Sequence, residues 1–409
     1  MSEWKKVKLK DCCHSISDGD HLPPPKSNSG VPFVTIANID ATNHIDFGNT
    51  MFVPLEYYNS LNDIRKAKCN DILYSVVGSF GKPVLIKENI PFAFQRHIAI
   101  LRPNNEIADS RFLYYVMLTR DFFMQADTVA IGAAQRTISL TALRNMEVKL
   151  PSMETQYRIA SILSRYDSLI ENYQKQIKLL EEAAQRLYKE WFVDLHFPGH
   201  ENAKIVDGVP EGWEKKTIDD VTCKVTTGLN PRKNFVLGKG SNYYVTIKNM
   251  ADNTLFLDDR CDRVDNEALE KINKRSDLKI GDILFSGIGT IGRVALVDIP
   301  TNNWNVSESV FTLRVNDIVT KEFLYLMLLS PDMQNYCQSN AHGAAQKGIR
   351  MADLKAYSFN LPPFGVIQKF TNLVTPTIKK VSSIRNQIRL LTEARDRLLP
   401  RLMNGEIAV

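Results

Sequence analysis

Hydrophobic positions along the chain form two kinds of pattern, and each kind occurs twice. Residues 153–191 contain neither glycine nor proline, and apolar side chains recur there at steps of three and four. This spacing predicts one long helix with a heptad seam and a stutter. Residues 364–404 carry a similar apolar stripe, and we expect Pro376 inside it to kink the helix or delay its start.

The sequence that precedes each long helix has a mixed texture. Residues 33–39 (FVTIANI) and 244–250 (YVTIKNM) are β-branched and aromatic runs, which predict strands. Residues 111–125 (RFLYYVMLTRDFFMQ) and their counterpart further along the chain each predict one amphipathic helix. Each half of the chain therefore predicts an α+β globule followed by a long helix.

The two halves also share sequence. GAAQ occurs at residues 132–135 and again at 343–346, 211 positions later. NDILYSVVGSFGK, at residues 70–82, matches GDILFSGIGTIGR, at residues 281–293. A repeat of this length indicates a tandem duplication, so both halves should have the same fold.

We therefore predict an α+β protein with two similar mixed domains, separated by two long helices that pack as an antiparallel coiled coil about a pseudo-twofold axis. The alternative is that each helix packs only on its own domain. The expected boundaries are 1–149 and 199–360 for the two domains, and 150–198 and 361–409 for the central and C-terminal helical regions.

Composition narrows the function only slightly. The 409 residues are 44% apolar and 24% charged, as in ordinary globular proteins, and the net charge of +5 is compatible with a polyanionic partner. The six cysteines form no CxxC pair and have no zinc-finger spacing, so no metal site is expected. Without a signal-like or membrane-spanning segment, we expect a cytoplasmic protein that does not contact a membrane.

Two segments resemble catalytic motifs but lack the context that those motifs require. GIGTIG, at residues 287–292, fits a dinucleotide loop, yet Val76 replaces its first glycine in the other copy and a strand should follow it. NLPPF, at residues 360–364, has a leucine inside the Asn-Pro-Pro motif of adenine methyltransferases. No cofactor loop, Walker motif or nuclease carboxylate cluster is evident, so we expect neither a cofactor nor catalysis.

Two similar domains on a twofold arrangement suit duplex DNA, whose half-sites recur at about one helical turn. A covalent duplication also lets the halves diverge, so the two half-sites can differ in sequence.

The whole chain resembles the specificity subunit of a type I restriction–modification system. DGDHLPPPKSNSGVPFVTIANI, at residues 18–39, looks like the opening signature of that family, and residues 227–250 fill the same slot with a variant. LPSMETQYRIASIL, at residues 150–163, is similar to the family's LPPLxEQxxIxxIL entry to the first helix. The second entry, LPPFGVIQKF, has an extra residue before Gln368.

The resemblance implies a non-catalytic subunit in the prokaryotic cytoplasm that recognises a bipartite, asymmetric site in double-stranded DNA, one half per target-recognition domain. It also implies that the helices set the gap between half-sites and dock two methyltransferase subunits, and through them the restriction–translocation subunits. No cofactor is implied.

DNA contacts are expected from the repeated loops and from the places where the halves differ. Glutamine can pair with adenine, and arginine or lysine can contact guanine or phosphate. The alternatives are a helix N-terminal turn for GAAQ and plain solvated side chains elsewhere; being shared, GAAQ should position DNA more than select bases. The candidates are His21, Lys26, Asn28, Ser29, Lys82, Gln95, Arg96, Gln135, Arg136, Asn230, Arg232, Lys233, Asn234, Arg293, Gln346 and Lys347.

Apolar seam positions on the long helices are the candidates for packing and partner docking. They are Ile159, Ile162, Tyr166, Leu169, Ile177, Leu180, Leu187, Phe370, Val374, Val381, Ile388, Leu391 and Leu398. Two other hypotheses stay open at the level of sequence: a scaffold that binds only proteins, and a nuclease or methyltransferase in its own right.

Overall fold

The structure is a computed structural model that describes residues 4–21, 23–40, 42–133, 135–251, 253–343 and 347–409. It divides into two compact units. Unit 1 comprises Met1–Asn172 and Arg389–Val409, and unit 2 comprises Tyr173–Ile388. Each unit therefore contains one globule together with a segment from each of the two long helices.

Unit 1 contains nine strands and the first five helices among its described residues. The strands are β1 Lys5–Lys8, β2 Cys13–Asp18, β3 Val31–Val34, β4 Met51–Val53, β5 Ile72–Ser75, β6 Pro83–Leu85, β7 Ala93–Phe94, β8 Ile98–Pro103 and β9 Glu147–Leu150. The helices are α1 Leu55–Ser60, α2 Ser110–Leu118, α3 Arg120–Val129, α4 Leu140–Asn145 and α5 Met153–Phe192, the last of which continues into unit 2.

Unit 2 repeats this order with a few additions. Its strands are β10 Ile205–Val206, β11 Val209–Pro210, β12 Glu214–Thr217, β13 Thr222–Thr227, β14 Asn242–Val245, β15 Met250–Ala251, β16 Thr254–Leu255, β17 Asp262–Val264, β18 Ile283–Ser286, β19 Val294–Leu296, β20 Trp304–Val306, β21 Val310–Val315 and β22 Ser358–Leu361. Its helices are α6 Pro231–Asn234, α7 Asn266–Ser276, α8 Lys321–Leu328, α9 Pro331–Ser339, α10 Met351–Lys355 and α11 Phe364–Met403, the last of which ends in unit 1.

The sheets have the same topology in both units. A four-stranded antiparallel sheet has the order β2-β8-β5-β6 in unit 1 and β13-β21-β18-β19 in unit 2. A three-stranded sheet has the order β4-β3-β7 or β17-β14-β20, with one parallel pair in each case. The registers also correspond, since Ile72 pairs with Leu101 and Ile283 pairs with Leu313. The predicted duplication of an α+β fold is thereby confirmed.

The shared T-x-x-N sequence shortens the strands that FVTIANI and YVTIKNM predict. In both copies the strand ends at a valine, and a 3-10 helix follows. The Asn38 side chain accepts hydrogen bonds from the backbone and hydroxyl of Thr35, and Asn249 does the same for Thr246. This capping arrangement favours a helical turn over further extended backbone.

The single amphipathic helix predicted from residue 111 is wrong, because two helices occupy the segment. Thr119 separates α2 from α3, and its hydroxyl accepts a hydrogen bond from the Phe122 amide. Ser330 does the same for Met333 between α8 and α9, and Pro331 occupies the first turn of α9. A side chain that caps a new helix competes with continuation of the old one.

The long helices have the predicted extent, 40 residues each. α11 begins at Phe364 and continues through Pro376, so the expected late start is wrong. The extra residue expected before Gln368 is also wrong. In α5, buried Gln156 is followed three residues later by buried Ile159. In α11, buried Ile367 is followed three residues later by buried Phe370. Ile367 is therefore the structural equivalent of Gln156.

Within each unit the two helix segments pack antiparallel. In unit 2, Glu181 of α5 accepts a hydrogen bond from Arg385 of α11 at 2.5 Å. Tyr188 lies later in α5, yet it contacts Phe370, which lies earlier in α11, with ring centroids 6.2 Å apart. In unit 1, Arg395 pairs with Asp167 at 2.8 Å. The predicted antiparallel packing is confirmed inside each unit. No helix in the described part of the chain is long and apolar enough to span a bilayer.

Candidate nucleic-acid interface

Each unit brings the residues that follow its GAAQ sequence against the glycine-containing loop after the central strand. In unit 1 the Gly78 amide donates to the Arg136 carbonyl at 2.9 Å, and the Ile138 amide donates to Val76 at 2.8 Å. In unit 2 the Gly289 amide donates to Lys347 at 2.7 Å, and Ile349 donates to Gly287 at 2.8 Å. We call this arrangement the loop pair, formed by residues 76–82 with 131–138 (Ala134 excepted) and by 287–293 with 342–343 and 347–349.

Glycines at left-handed backbone angles shape both loop pairs. Gly78 and Gly81 have φ values of 67° and 93°, and Gly289 and Gly292 have 79° and 92°. The strand serine that precedes them closes each loop, because Ser286 Oγ donates to Thr290 O at 2.6 Å. β19 follows this loop directly, so the strand expected in place of a Rossmann helix is present.

The loop pairs place some predicted DNA contacts in solvent and hold others. Gln135 and Lys347 are exposed, and Lys82 is half-buried. Arg136 lies over the Phe80 ring at 5.3 Å from the ring centroid and pairs with Asp127. Gln346 lies outside the described residues.

Arg293 is half-buried, and one of its guanidinium nitrogens is engaged within the unit, so its role as a phosphate contact stays a prediction. Its Nη1 atom donates to the carbonyls of Ile247 and Met250 at 2.9 and 2.7 Å. These bonds tie the 3-10 turn after β14 to the loop pair. In unit 1 the equivalent position is Lys82, for which the described contacts include no such carbonyl pair.

A second group of candidates lies in the loop that follows β2. We call this loop variable loop 1 (residues 19–30, Leu22 excepted). Lys26, Asn28 and Ser29 are exposed there. His21 is also exposed, and its Nε2 atom lies 2.8 Å from Asp18 Oδ2. Exposed polar side chains on an irregular segment suit a ligand contact.

Variable loop 1 crosses the segment after β7 at very close range. A Cβ atom on Gly19 would lie 2.1 Å from Phe94 O, so only glycine fits there. The crossing places half-buried Gln95 and exposed Arg96 beside the loop, where the Arg96 amide donates to Asp20 O at 3.2 Å. The structure thus brings these two candidates together with His21.

The corresponding loop of unit 2, variable loop 2 (residues 228–241), is partly regular. Asn230 accepts a hydrogen bond from the Arg232 amide at 2.9 Å and starts the one-turn helix α6, with Pro231 in its first position. Arg232, Lys233 and Asn234 are exposed on this turn. Asn230 itself is engaged, since its Nδ2 atom donates to Glu308 Oε1 at 2.7 Å.

Sequence reasoning missed the carboxylates that hold the variable loops. Asp20 accepts hydrogen bonds from Tyr57 Oη at 2.6 Å and from Arg65 at 3.2 Å. Glu308, which accepts a hydrogen bond from Asn230, also accepts one from Tyr244 Oη at 3.1 Å. The divergence between Arg96 and Glu308 at equivalent repeat positions was the available signal.

The seam residues of the helices divide into buried and accessible sets. Ile159, Phe370, Val374 and Val381 are buried within their own units, so as placed they build the internal core and not a docking surface. This burial corrects their assignment as docking residues. Those that keep some exposure are Ile162, Tyr166, Leu169, Ile177, Leu180, Leu187, Ile388, Leu391 and Leu398.

A metal site needs several His, Cys, Asp or Glu side chains close together. The described residues contain no group of three or more with suitable placement. What the two loop systems of each unit offer is exposed amide, guanidinium and ammonium groups beside irregular backbone. That inventory suits contact with a polyanion, which needs donors rather than nucleophiles.

Comparison with known families decides what these repeated units are. The model of the type I restriction modification DNA specificity domain matches residues 1–182 and 210–388, one match for each repeat. The chain belongs to the type I restriction–modification DNA specificity family. It is therefore a specificity subunit with two tandem target-recognition domains, as the sequence resemblance implied.

Individual relatives agree with this assignment over most of the chain. The specificity subunit of the type I restriction enzyme MjaIX from Methanocaldococcus jannaschii is 28% identical over 73% of this chain and 69% of its own. The HindI specificity subunit from Haemophilus influenzae is 25% identical over the whole of both chains. A crystal structure of the type I S subunit from M. genitalium shares the fold, with a TM-score of 0.61, 17% identity, and coverage of 98% of this chain and 96% of that one.

Proposed function

We propose that this specificity subunit recognises a bipartite, asymmetric DNA site, with unit 1 binding one half-site and unit 2 the other. The observation that carries the proposal is that each unit combines a loop pair that both repeats share with a variable loop that differs between the repeats. Both loop pairs have the same backbone hydrogen bonds, whereas the variable loops differ in residue type and in conformation. A shared element suits contacts to the DNA backbone, and a divergent one suits base selection.

The chemistry of each element supports this division. Lys347 and Gln135 are exposed on the loop pairs, where an ammonium or an amide can bind phosphate oxygens. Variable loop 2 exposes Arg232 and Lys233 on a turn of helix, and variable loop 1 exposes Lys26 and Asn28. These donors can contact guanine, adenine or phosphate in the major groove.

The same proposal assigns no chemistry to this chain. Methyl transfer and DNA cleavage would be carried out by the modification and restriction subunits that dock on it. Two modification subunits, one for each half of the duplication, fit the internal repeat. Exposed leucines on the long helices support docking there: Leu179 is 65% exposed, and Leu169, Leu373 and Leu390 also face solvent.

A domain exchange tests the proposal. Residues 1–148 are replaced by the equivalent domain of a relative, and the methylated sequence of the assembled complex is then determined. We expect a change in one half of the recognised site and none in the other. A change in both halves, or in neither, would contradict recognition by separate units.

A protein-only scaffold is the competing function. Binding through phosphate contacts weakens steeply with salt, because counterions are released from the DNA. Measuring the affinity for duplex DNA at several salt concentrations separates the two functions. A scaffold predicts no salt-sensitive DNA affinity.

A further inference from the structure

Each variable loop is held by a carboxylate and a tyrosine, although the two units obtain these groups from different places. In unit 1 the carboxylate is on the loop itself, as Asp20, and the hydroxyl comes from Tyr57 in α1. In unit 2 the carboxylate is Glu308, on the segment that crosses the loop, and the hydroxyl comes from Tyr244 in β14.

The anchor of unit 2 has no counterpart at the equivalent positions of unit 1. Tyr244 lies in β14, which corresponds to β3 of unit 1, and there the equivalent residue is Phe33, which has no hydroxyl. Glu308 corresponds to Arg96, which carries the opposite charge and is exposed. The two units therefore hold their variable loops with residues at different positions of the repeat.

The unit 2 anchor holds the two residues that precede α6, Leu229 and Asn230. Tyr244 Oη lies 2.7 Å from Leu229 O and 3.1 Å from Glu308 Oε2, and Glu308 Oε1 accepts from Asn230 Nδ2 at 2.7 Å. Asn230 in turn caps the turn that exposes Arg232. The orientation of the exposed helix turn therefore depends on Glu308 through Asn230.

Both tyrosines are set to remain proton donors. Burial, followed by the neighbouring carboxylate, raises the pKa of Tyr244 above its ordinary value. Burial likewise raises the pKa of Tyr57, with a further contribution from its hydrogen bond to Asp20. A protonated phenol can donate a charge-assisted hydrogen bond to a carboxylate, and the Tyr57–Asp20 bond is short, at 2.6 Å. The Tyr244 hydroxyl is held by two acceptors, Leu229 O at 2.7 Å and Glu308 Oε2 at 3.1 Å.

The crossing glycines place these anchors at the same point of the fold. A Cβ atom on Gly228 would lie 1.6 Å from Val306 O, as one on Gly19 would lie 2.1 Å from Phe94 O. Each variable loop is thus pinned at its base by the close crossing and a few residues later by the carboxylate and tyrosine.

We propose that Glu308 with Tyr244, and Asp20 with Tyr57, are positioning residues that fix the variable loops for base selection, each pair acting on one half-site. They are not contacts to DNA themselves. They act through the loop they hold, as supporting residues do for any preorganised binding site. This inference rests on the proposed function, in which each unit recognises one half-site.

The test compares three variants of the full chain assembled with its methyltransferase subunit: Y244F, E308Q and Y57F. Each complex is used to select sequences from a random double-stranded DNA library, and affinity for the selected duplex is measured against salt concentration. Tyr244→Phe keeps the buried ring and removes only the hydroxyl. Tyr57→Phe is the matched control, because it changes the same group in the other unit.

We expect Y244F and E308Q to reduce discrimination between the correct and altered second half-site by about tenfold, the effect of losing one charge-assisted hydrogen bond. Discrimination at the first half-site should not change, and Y57F should give the mirror result. The slope of log affinity against log salt should stay the same, because the phosphate contacts are retained. Loss of second half-site discrimination accompanied by a shallower slope would indicate a damaged domain and would overturn the positioning role.

Two further outcomes are distinguishable. A wild-type complex that selects a bipartite motif, which Y244F and E308Q leave intact, overturns the inference alone. A wild-type complex that selects no motif overturns the proposed function, and the inference falls with it.

Discussion

Arg102 donates to the buried carboxylate of Asp71 at 2.8 Å, and this pair recurs in the second repeat as Asp282 with Arg314, at 2.7 Å. In both copies the carboxylate also accepts a backbone amide at 2.8 Å, from Lys68 or from Lys279. The pair joins the central strand of the four-stranded sheet to its neighbour. Hydrogen bonding to Asp71 raises the pKa of Arg102, and hydrogen bonding to Asp282 raises that of Arg314.

Removing either guanidinium should destabilise its own unit. Arg102→Met leaves the carboxylate of Asp71 buried and unpaired, and we expect a loss of about 3 kcal/mol in the stability of unit 1. Arg314→Met should have the same effect on unit 2. Hydrogen exchange resolved along the chain measures each unit separately, which a single unfolding curve of a two-unit protein does not.

Arg260→Met is the matched control, since Arg260 bonds Asp258 with the same geometry but is 68% exposed. Exposed pairs contribute at most about 1 kcal/mol, so R260M should have little effect. Equal losses from R102M and R260M would show that burial of the pair is not what stabilises the sheet.

The stability of unit 1 should depend on pH through His44 and Glu171. His44 Nε2 lies 2.9 Å from Glu171 Oε1, and this hydrogen bond raises the pKa of His44 above 6.5. The same bond, with help from Lys87, lowers the pKa of Glu171 from 4.5 to about 2. The His44 contribution is therefore complete below pH 6.5 and is lost as pH rises through the folded pKa. The Glu171 contribution is complete above pH 4.5 and is lost as pH falls towards 2.

We therefore expect the thermal midpoint of unit 1 to fall between pH 6 and pH 8 in the wild-type chain, and to fall less in His44→Gln. Glu171→Gln should flatten the profile on both sides, because it removes the partner of His44 as well. Parallel wild-type and H44Q profiles over this range would exclude His44 as the titrating group.

Glycine at the loop crossing is required by space. Gly19→Ala or Gly228→Ala would drive a methyl group into a backbone carbonyl, and we expect each to cost about 1–3 kcal/mol in its own unit. Gly365→Ala is the control, because nothing lies within 4 Å of a Cβ atom there and alanine favours a helix. Thermal unfolding of the three variants tests this, and G228A as stable as G365A would refute the close crossing.

The loop pair of unit 2 should bind phosphate through Lys347. Lys347→Ala should weaken DNA binding by the same factor for every sequence and make the slope of log affinity against log salt shallower by about 0.9. Lys369→Ala removes an equal charge from α11 and should leave the slope unchanged. If K347A instead changed which bases are preferred, Lys347 would contact bases, and the prediction of a phosphate contact would be wrong.

The sequence predicted those features that repeat or have a long period. The duplication follows from residues that the two halves share. The α+β composition of each half and both 40-residue helices follow from the spacing of apolar positions, because burial imposes regular intervals over many residues. The break at Thr119 was not predicted, since one capping side chain decided it against a continuous apolar pattern. Pro376 in α11 shows the reverse, because packing of the helix overrides one unfavourable residue.

Side-chain direction was the part that sequence could not provide. Arg293 and Lys82 align as basic residues, yet the Arg293 guanidinium bonds two carbonyls that lie more than 40 positions away in the chain. The carboxylate anchors were missed for the same reason, since Asp20 meets Tyr57 only once the sheet has formed. Contacts between segments that are distant in sequence depend on the fold, so the pattern of residues within one segment does not predict them.

The central claim is that the two units recognise two different half-sites. The most direct test is selection from a random duplex library with the chain and its methyltransferase subunit together. The account predicts two dissimilar short motifs separated by a fixed gap. A single motif, or salt-sensitive binding without any sequence preference, would contradict it.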